Sequence, residues 1–213
     1  SMSNIQTCIG VVFGGASGEH DISIRSAKTV INALQAGINA EVFQVICVYI
    51  DYEGRWWPSD IAIKALEKGF GLKEHELPFP NASKGFKGFP KGTEGVDIWY
   101  PVLHGPNGED GTIQGLFTLM GKPFVGSGVL GSALGMDKIA MKAAFTAAGL
   151  PQAPYISSQA KEVNCSKLRP LLIQRIENKI QYPCFVKPAN LGSSVGITKT
   201  YDRKELETAL KLA

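Results

Sequence analysis

Apolar residues run unbroken from Cys8 to Phe13 (CIGVVF) and stop at Gly14-Gly15, which predicts a short strand buried on both faces. From Asp21 or Ser23 the period changes. Ile24, Ala27, Val30, Ile31 and Leu34 recur at helical spacing on one face, with Gly37 as the stop. Glu41 to Ile50 (EVFQVICVYI) reads as a second strand. Two strands joined by a helix of this length most simply form a parallel pair with a right-handed crossover. Residues 51–95 break the pattern with scattered Gly, Pro and Lys, and are read as an insertion whose Trp56 and Trp57 pack over an edge of the sheet. Val96 to Leu103 (VDIWYPVL) resumes as a strand. A polar glycine-rich loop, HGPNGEDG, follows from His104 to Gly111, and a helix runs from Thr112 to about Met120.

A further helical run from Asp137 through Ala148 stops at Gly149, with Pro151 and Pro154 beyond it, and marks a domain boundary. In the second part, residues 166–180 are helical in pattern, Tyr182 to Val186 is a strand and Gly196 to Thr200 its hairpin partner. Asp202 with Glu205 resembles a capping box opening a last helix. That helix runs to Ala213 without a stop signal, and the second part has few elements with which to bury its apolar faces. The chain is therefore expected to be a piece of a longer protein, an unsupported terminal helix being the alternative. The fold expected is α/β, with an N-terminal domain over 1–150 built on a mostly parallel sheet flanked by helices, Rossmann-like in plan. A second, incomplete domain covers 151–213.

Composition narrows the class. The 213 residues are 44% hydrophobic and 19% charged, as in ordinary water-soluble domains, and a net charge of +3 is too small to argue for nucleic acid. No apolar run approaches the roughly 18 residues of a membrane span, and the start lacks a basic-then-apolar signal pattern. The expected location is cytoplasmic, with no nucleic-acid or membrane partner. Cys8, Cys47 and Cys184 lie inside apolar runs, and none of the four cysteines, Cys165 included, has the spacing of a metal site, so all read as structural. Charge is unevenly spread: residues 161–213 hold ten Lys or Arg against five Asp or Glu. A basic second part suits an anion such as a polyphosphate; a solvated basic helix is the plainer alternative.

Candidate chemistry lies where glycines meet the ends of strands. GGASGEHD (14–21) lacks the G-x-G-x-x-G spacing, so a dinucleotide site and a nicotinamide-dependent dehydrogenase have little support. Its Glu19 is a carboxylate suited to an ammonium group, or else a cap on the following helix. HGPNGEDG presents His104, Glu109 and Asp110, a poor zinc signature; hydrogen bonding within the loop is the alternative. Lys138 in GMDK, and Lys187 ahead of the loop ANLGSSVG (189–196), supply point charges and small residues for a phosphate cradle. This is not a P-loop, and an exposed hairpin with a surface lysine is the alternative.

GGASGEHDIS, HGPNGEDGTIQG, GSGVLGSALGMDK, the GLP-x-AP stretch at 149–154 and VKPANLGSSVG occur in an order that resembles the D-alanine–D-alanine ligases of the ATP-grasp superfamily, from about residue 5 to the end. The insertion resembles that of the longer members. The resemblance implies a pre-ATP-grasp N-terminal domain followed by the start of an ATP-grasp domain. It also implies ATP-dependent joining of two D-alanines through an acyl phosphate, for peptidoglycan precursor synthesis. Carried onto this sequence, it implies that Glu19 anchors the first D-alanine's ammonium, Ile22 touches its methyl, and His104 stands beside its carboxylate with Glu109 as neighbour. Lys138 and Lys187 would hold ATP phosphates, with Gly192, Ser193, Ser194 and Val195 closing over them and Ser193 bonded to Glu19. Mg2+ is implied as well, with its ligands expected beyond Ala213, so the 213-residue chain is expected to be inactive alone; a homodimer paired through the N-terminal domain is also implied. A D-alanine–D-lactate ligase and a non-catalytic dimerisation fragment are the alternatives.

Overall fold

The first apolar run forms β1 (Thr7–Gly14), and α1 (His20–Leu34), the single turn α2 (Asn39–Val42), β2 (Phe43–Ile50), β3 (Trp56–Trp57), α3 (Ser59–Lys68), β4 (Ile98–Val102), α4 (Thr112–Leu119) and α5 (Val129–Met136) follow. Beyond them come α6 (Lys138–Ala147), α7 (Ala160–Asn164), α8 (Arg169–Lys179), β5 (Cys184–Val186), β6 (Thr198–Thr200) and α9 (Arg203–Leu212). The computed structural model describes residues 5–192 and 195–213. The chain divides into two units, Ser1–Ala133 and Leu134–Ala213. The boundary near residue 150 suggested by the sequence lies inside the second.

In the first unit the strand order is β3-β2-β1-β4. β1 pairs in parallel with β2, from Thr7 opposite Phe43 to Gly14 opposite Ile50, and in parallel with β4, from Ile9 opposite Ile98 to Phe13 opposite Val102. Its alternate residues serve two cores. Ile9, Val11 and Phe13 face Ile24, Ala27 and Ile31 of α1 and Ile61, Ala62 and Ala65 of α3. Cys8 and Val12 join the opposite cluster with Trp99, Ile113 and Phe117. Burial on both faces is why β1 reads as a continuous apolar run rather than an alternation.

Three departures from the sequence pattern have physical reasons. Glu41 and Val42 belong to α2, because β2 begins only where β1 offers a ladder partner, at Thr7 opposite Phe43. Inside the insertion, α3 starts after Pro58 and ends at Gly69 in the left-handed conformation; its short stripe of one isoleucine and two alanines is decided by packing on the sheet. α5 buries none of its residues, so it carries no periodic signal. Trp56 and Trp57 do lie at the sheet edge, as β3 paired antiparallel to β2. Among the described residues no helix is long and apolar enough to cross a membrane.

The insertion is organised by a charge. Arg55 is 5% exposed; its Nε donates to Asp51 at 2.6 Å, and its Nη atoms donate to both Glu74 oxygens at 3.1 and 2.7 Å. Nη1 also donates to the carbonyls of Pro80 and Ala82, while Asp51 accepts from Trp57 Nε1 at 2.8 Å. The carboxylates of Glu74 and Asp51 hold the guanidinium charged despite its burial. Residues along the segment 51–82 thus converge on one ion network, buried at Asp51 and Arg55 and opening to solvent at Glu74.

In the second unit β5 and β6 pair antiparallel. Cys184 packs with Val163 of α7, Leu172, Ile173 and Ile176 of α8, and Leu206 and Leu210 of α9. Asp202 accepts from Glu205 N at 2.8 Å and Glu205 accepts from Tyr201 N at 2.8 Å, close to the capping box expected there. Cys8, Cys47 and Cys184 are buried free thiols, and Cys165 is half-buried.

Removing Asp51 leaves Arg55 half-paired in the interior. Asp51→Ala is expected to lower unfolding free energy in urea by about 3–5 kcal/mol. Lys84→Ala, which removes the exposed pair with Glu53 at 2.9 Å, should change it by less than about 1 kcal/mol. Equal effects would contradict the assignment of Arg55 as the organiser.

Candidate functional site

Three parallel strands deliver their C-terminal ends to one edge of the sheet. The chain goes from β1 to β2 on one side and returns to β4 on the other, so the loops after β1 and β4 diverge at a switch point, where open α/β sheets leave a crevice. β1 leaves the sheet at Gly14, whose φ of 98° is open to glycine; a side chain there would meet the Ile50 carbonyl at 2.1 Å. Ser23, fully buried on α1, spans the switch point: its hydroxyl accepts from Gly14 N at 2.8 Å and donates to Val102 O.

Glu19 ends the β1–α1 turn at the N-cap position of α1, yet its side chain makes no capping bond to the helix amides. The helix-cap alternative is therefore not realised. The carboxylate faces the second loop instead. A Cβ added to Gly105 would lie 3.7 Å from Glu19 Oε2, in ordinary van der Waals contact, which puts the carboxylate close to this loop. Ile22, 45% exposed, is one helical turn beyond Glu19 and on the same side of α1.

The loop after β4 is held by its own carboxylates. Glu109 Oε2 accepts from Gly105 N at 2.7 Å and its Oε1 lies 3.9 Å from His104 Nδ1; His104 Nε2 is 3.5 Å from Ser26 Oγ. Asp110 accepts from Asn107 N and Thr112 N at the start of α4. Burial opposes its charge, but these amides and the Thr112 hydroxyl outweigh that and hold its pKa below the ordinary value. The hydrogen-bonding alternative for Asp110 is thus realised, while His104 stays partly open beside Gly105. Next to it lies a cleft of about 340 Å³ lined mainly by apolar groups, among them Ile50, Trp56, Phe86, Leu103 and Ile113. Among the described residues, no group of three or more His, Cys, Asp or Glu could hold a metal ion.

The sequence reading missed His20, which is 1% exposed. Its Nδ1 lies 2.6 Å from the Gly15 carbonyl and its Nε2 2.7 Å from the Tyr49 hydroxyl. Burial lowers its pKa, against the contrary pull of the Gly15 carbonyl, Asp21 and Asp51. The signal was present: His20 continues the stripe of Ile24, Ala27 and Ile31 on the buried face of α1.

In the second unit Asp137 caps α6 by accepting from Ile139 N and Ala140 N at 2.9 and 3.0 Å. This cap places Lys138 against the loop that follows β5. Its N–H donates to Ala189 O at 2.8 Å and its ammonium to Leu191 O. Lys187 follows β5 and is exposed. Gly192 and Val195 belong to the same loop, closed by Val195 N donating to Gly192 O at 3.1 Å. Ser193 and Ser194 lie outside the described residues.

Chemically, the first unit sets the Glu19 carboxylate close to Gly105 and an imidazole on the residue before it, groups suited to the ammonium and carboxylate of a small zwitterion. The second sets lysines at a glycine-containing loop, a pairing suited to phosphate.

Two family models match the chain. Residues 8–127 match the family described as "D-ala D-ala ligase N-terminus", and residues 144–213 the one described as "D-ala D-ala ligase C-terminus". A D-alanine–D-alanine ligase of Synechococcus sp. (strain CC9311) is 62% identical over 96% of this chain and 58% of its own length. One from Prochlorococcus marinus (strain MIT 9303) is 58% identical over 100% of this chain and 60% of its own. Among solved structures, the D-alanyl-alanine synthetase A of Vibrio cholerae aligns with a TM-score of 0.72 at 28% identity, covering 100% of this chain and 56% of the other. The VanG D-Ala:D-Ser ligase of Enterococcus faecalis aligns at 0.69 and 31%, covering 98% and 60%. The chain thus spans about three fifths of the length of these curated relatives.

The buried imidazole makes stability depend on pH. Above 6.5, the ordinary histidine value, His20 is neutral folded and unfolded; below it the unfolded chain takes up a proton that the folded state refuses. Stability is therefore full above 6.5 and is lost as pH falls toward the depressed folded value. Urea titrations between about pH 7.5 and 5.5 should show a decline, at most about 1.4 kcal/mol per pH unit, that His20→Gln lacks. Parallel slopes in the two proteins would contradict it.

Proposed function

The chain belongs to the D-alanine–D-alanine ligase family, and on that premise we propose that the protein joins two D-alanines into D-alanyl-D-alanine at the expense of ATP, supplying peptidoglycan precursors in the cytoplasm. The observation that carries this reading is the Glu19 carboxylate, which makes no cap bond to its own helix and lies close to Gly105 at the switch point. There it accepts the ammonium of the first D-alanine. Ile22 bounds the methyl, and His104, steadied by Glu109, faces the carboxylate.

ATP supplies the phosphoryl group that activates that carboxylate as an acyl phosphate, ADP leaving. The amine of the second D-alanine then displaces phosphate and loses a proton. The chain's own contribution is positioning and charge neutralisation, which dominate phosphoryl transfer. Lys138 and Lys187 hold the phosphates, with the loop from Gly192 to Val195 over them. The fit is supported by the Lys138 ammonium donating to Leu191 O, immediately before that loop, and by the basic excess of residues 161–213. For Mg2+ the described residues provide no cluster of ligands, and no step is assigned to it.

D-Alanine is preferred to D-lactate as second substrate because the relatives at 58% and 62% identity carry the D-alanine–D-alanine ligase name. A homodimer paired through the N-terminal domain completes the reading.

In the full-length protein, ATP hydrolysis should require D-alanine and yield the dipeptide. Glu19→Gln should raise KM for the first D-alanine at least about thirtyfold, the equivalent of about 2 kcal/mol for a lost ion pair. Lys138→Ala should raise KM for ATP instead. Hydrolysis indifferent to D-alanine, or an unchanged KM in Glu19→Gln, would overturn the proposal.

A further inference from the structure

The polar groups beneath the Gly15–Glu19 turn form one connected chain that reaches into the insertion. The Gly15 carbonyl accepts from Ser17 N at 3.0 Å and faces His20 Nδ1 at 2.6 Å. A carbonyl only accepts, so Nδ1 carries a proton. On the other side of the ring, Nε2 is 2.7 Å from Tyr49 Oη, which accepts from Leu72 N at 3.0 Å. Every buried group in this chain is satisfied when the ring is neutral and the Tyr49 hydroxyl donates to Nε2.

A second branch runs alongside. Tyr52 stacks on the imidazole with ring centres 3.8 Å apart and donates to Asp21 Oδ1 at 3.0 Å, which also accepts from Gly71 N at 2.8 Å. The Gly71 amide holds the Asp21 pKa below its ordinary value, so this acceptor stays ionised. Two consecutive amides of the insertion thereby reach this turn, Gly71 directly through Asp21 and Leu72 through the Tyr49 hydroxyl that faces His20. The turn itself is closed by Glu19 N donating to Ser17 Oγ at 3.2 Å and His20 N to Ser17 O at 3.3 Å.

We propose that His20 is a positioning residue: by closing the Gly15–Glu19 turn against Tyr49 it fixes where the Glu19 carboxylate stands, and so couples binding of the amino-acid ammonium to the Gly71–Leu72 stretch of the insertion. The inference rests on Glu19 as the ammonium anchor. Its consequence is that the insertion, far from the reacting atoms in sequence, tunes affinity for the first amino acid and leaves phosphate handling alone. A purely structural role would instead weaken every kinetic constant together.

The test uses the full-length protein with Tyr49→Phe, His20→Phe and His20→Gln. Tyr49→Phe keeps the ring and removes the hydroxyl. It and His20→Phe should raise KM for the first D-alanine at least about tenfold, with kcat and KM for ATP within about threefold of the parent. His20→Gln, whose amide can still donate to the Gly15 carbonyl, should return KM to within about threefold. Hydrogen exchange at the Ser17 and Glu19 amides should quicken in Tyr49→Phe, although neither touches Tyr49. An unchanged D-alanine KM, or equal losses in all constants, overturns the proposal. Should His20→Phe fail to fold, Tyr49→Phe decides. If the parent shows no dependence on D-alanine, the functional reading falls instead. The coupling is then judged by exchange alone: unchanged protection at Ser17 and Glu19 in Tyr49→Phe refutes it, and faster exchange there upholds it.

Discussion

β1 hydrogen-bonds in parallel to a neighbour on each side, and most of the first unit follows from that constraint. Parallel strands cannot be joined by a tight hairpin, so the connections must cross the faces of the sheet and every strand points its C-terminal end the same way. The crossing segments supply α1 and α3 on one face, while the other is closed by α4. With both faces covered, β1 has to be apolar throughout. The polar chemistry of the unit is thereby concentrated at the strand ends, where backbone amides and carbonyls leave the ladder.

At that edge a small set of local bonds converts topology into a site. Ser23 ties the end of β1 to the end of β4, and His20 and Tyr49 tie the β1 turn to the end of β2. The two loops that diverge from the switch point meet again at Gly105, where the Glu19 carboxylate comes close to the backbone beside His104. The Arg55 network extends the same logic outward, giving a segment without sustained periodicity a fixed shape on which Gly71 and Leu72 can present their amides.

Much of this was legible in the sequence, for reasons that differ by element. α1 and the last helix carry their own periodicity, and β1 and β4 are apolar runs bounded by turn residues, so pattern alone located them. The parallel pairing of β1 and β2 followed from the length of the connection. α3 was not legible, because a stripe of Ile61, Ala62 and Ala65 is too weak to stand out until the sheet packs against it. Nor was the role of Arg55, whose partners Glu74, Pro80 and Ala82 become neighbours only through folding. For Glu19 the residues left two readings open, helix cap or ligand anchor, and the conformation of its side chain removed the first. His20 was overlooked because it sits in a polar string between Glu19 and Asp21; its helical register, not its chemistry, was the clue.

The account stands or falls on where a D-alanine binds. The most direct measurement is a crystal structure of the full-length protein with D-alanine and a non-hydrolysable ATP analogue. The account predicts the D-alanine ammonium within about 3 Å of the Glu19 carboxylate, with its own carboxylate on the His104 side. An amino acid lodged elsewhere, for instance in the apolar cleft beside Trp56, with Glu19 untouched, would contradict it.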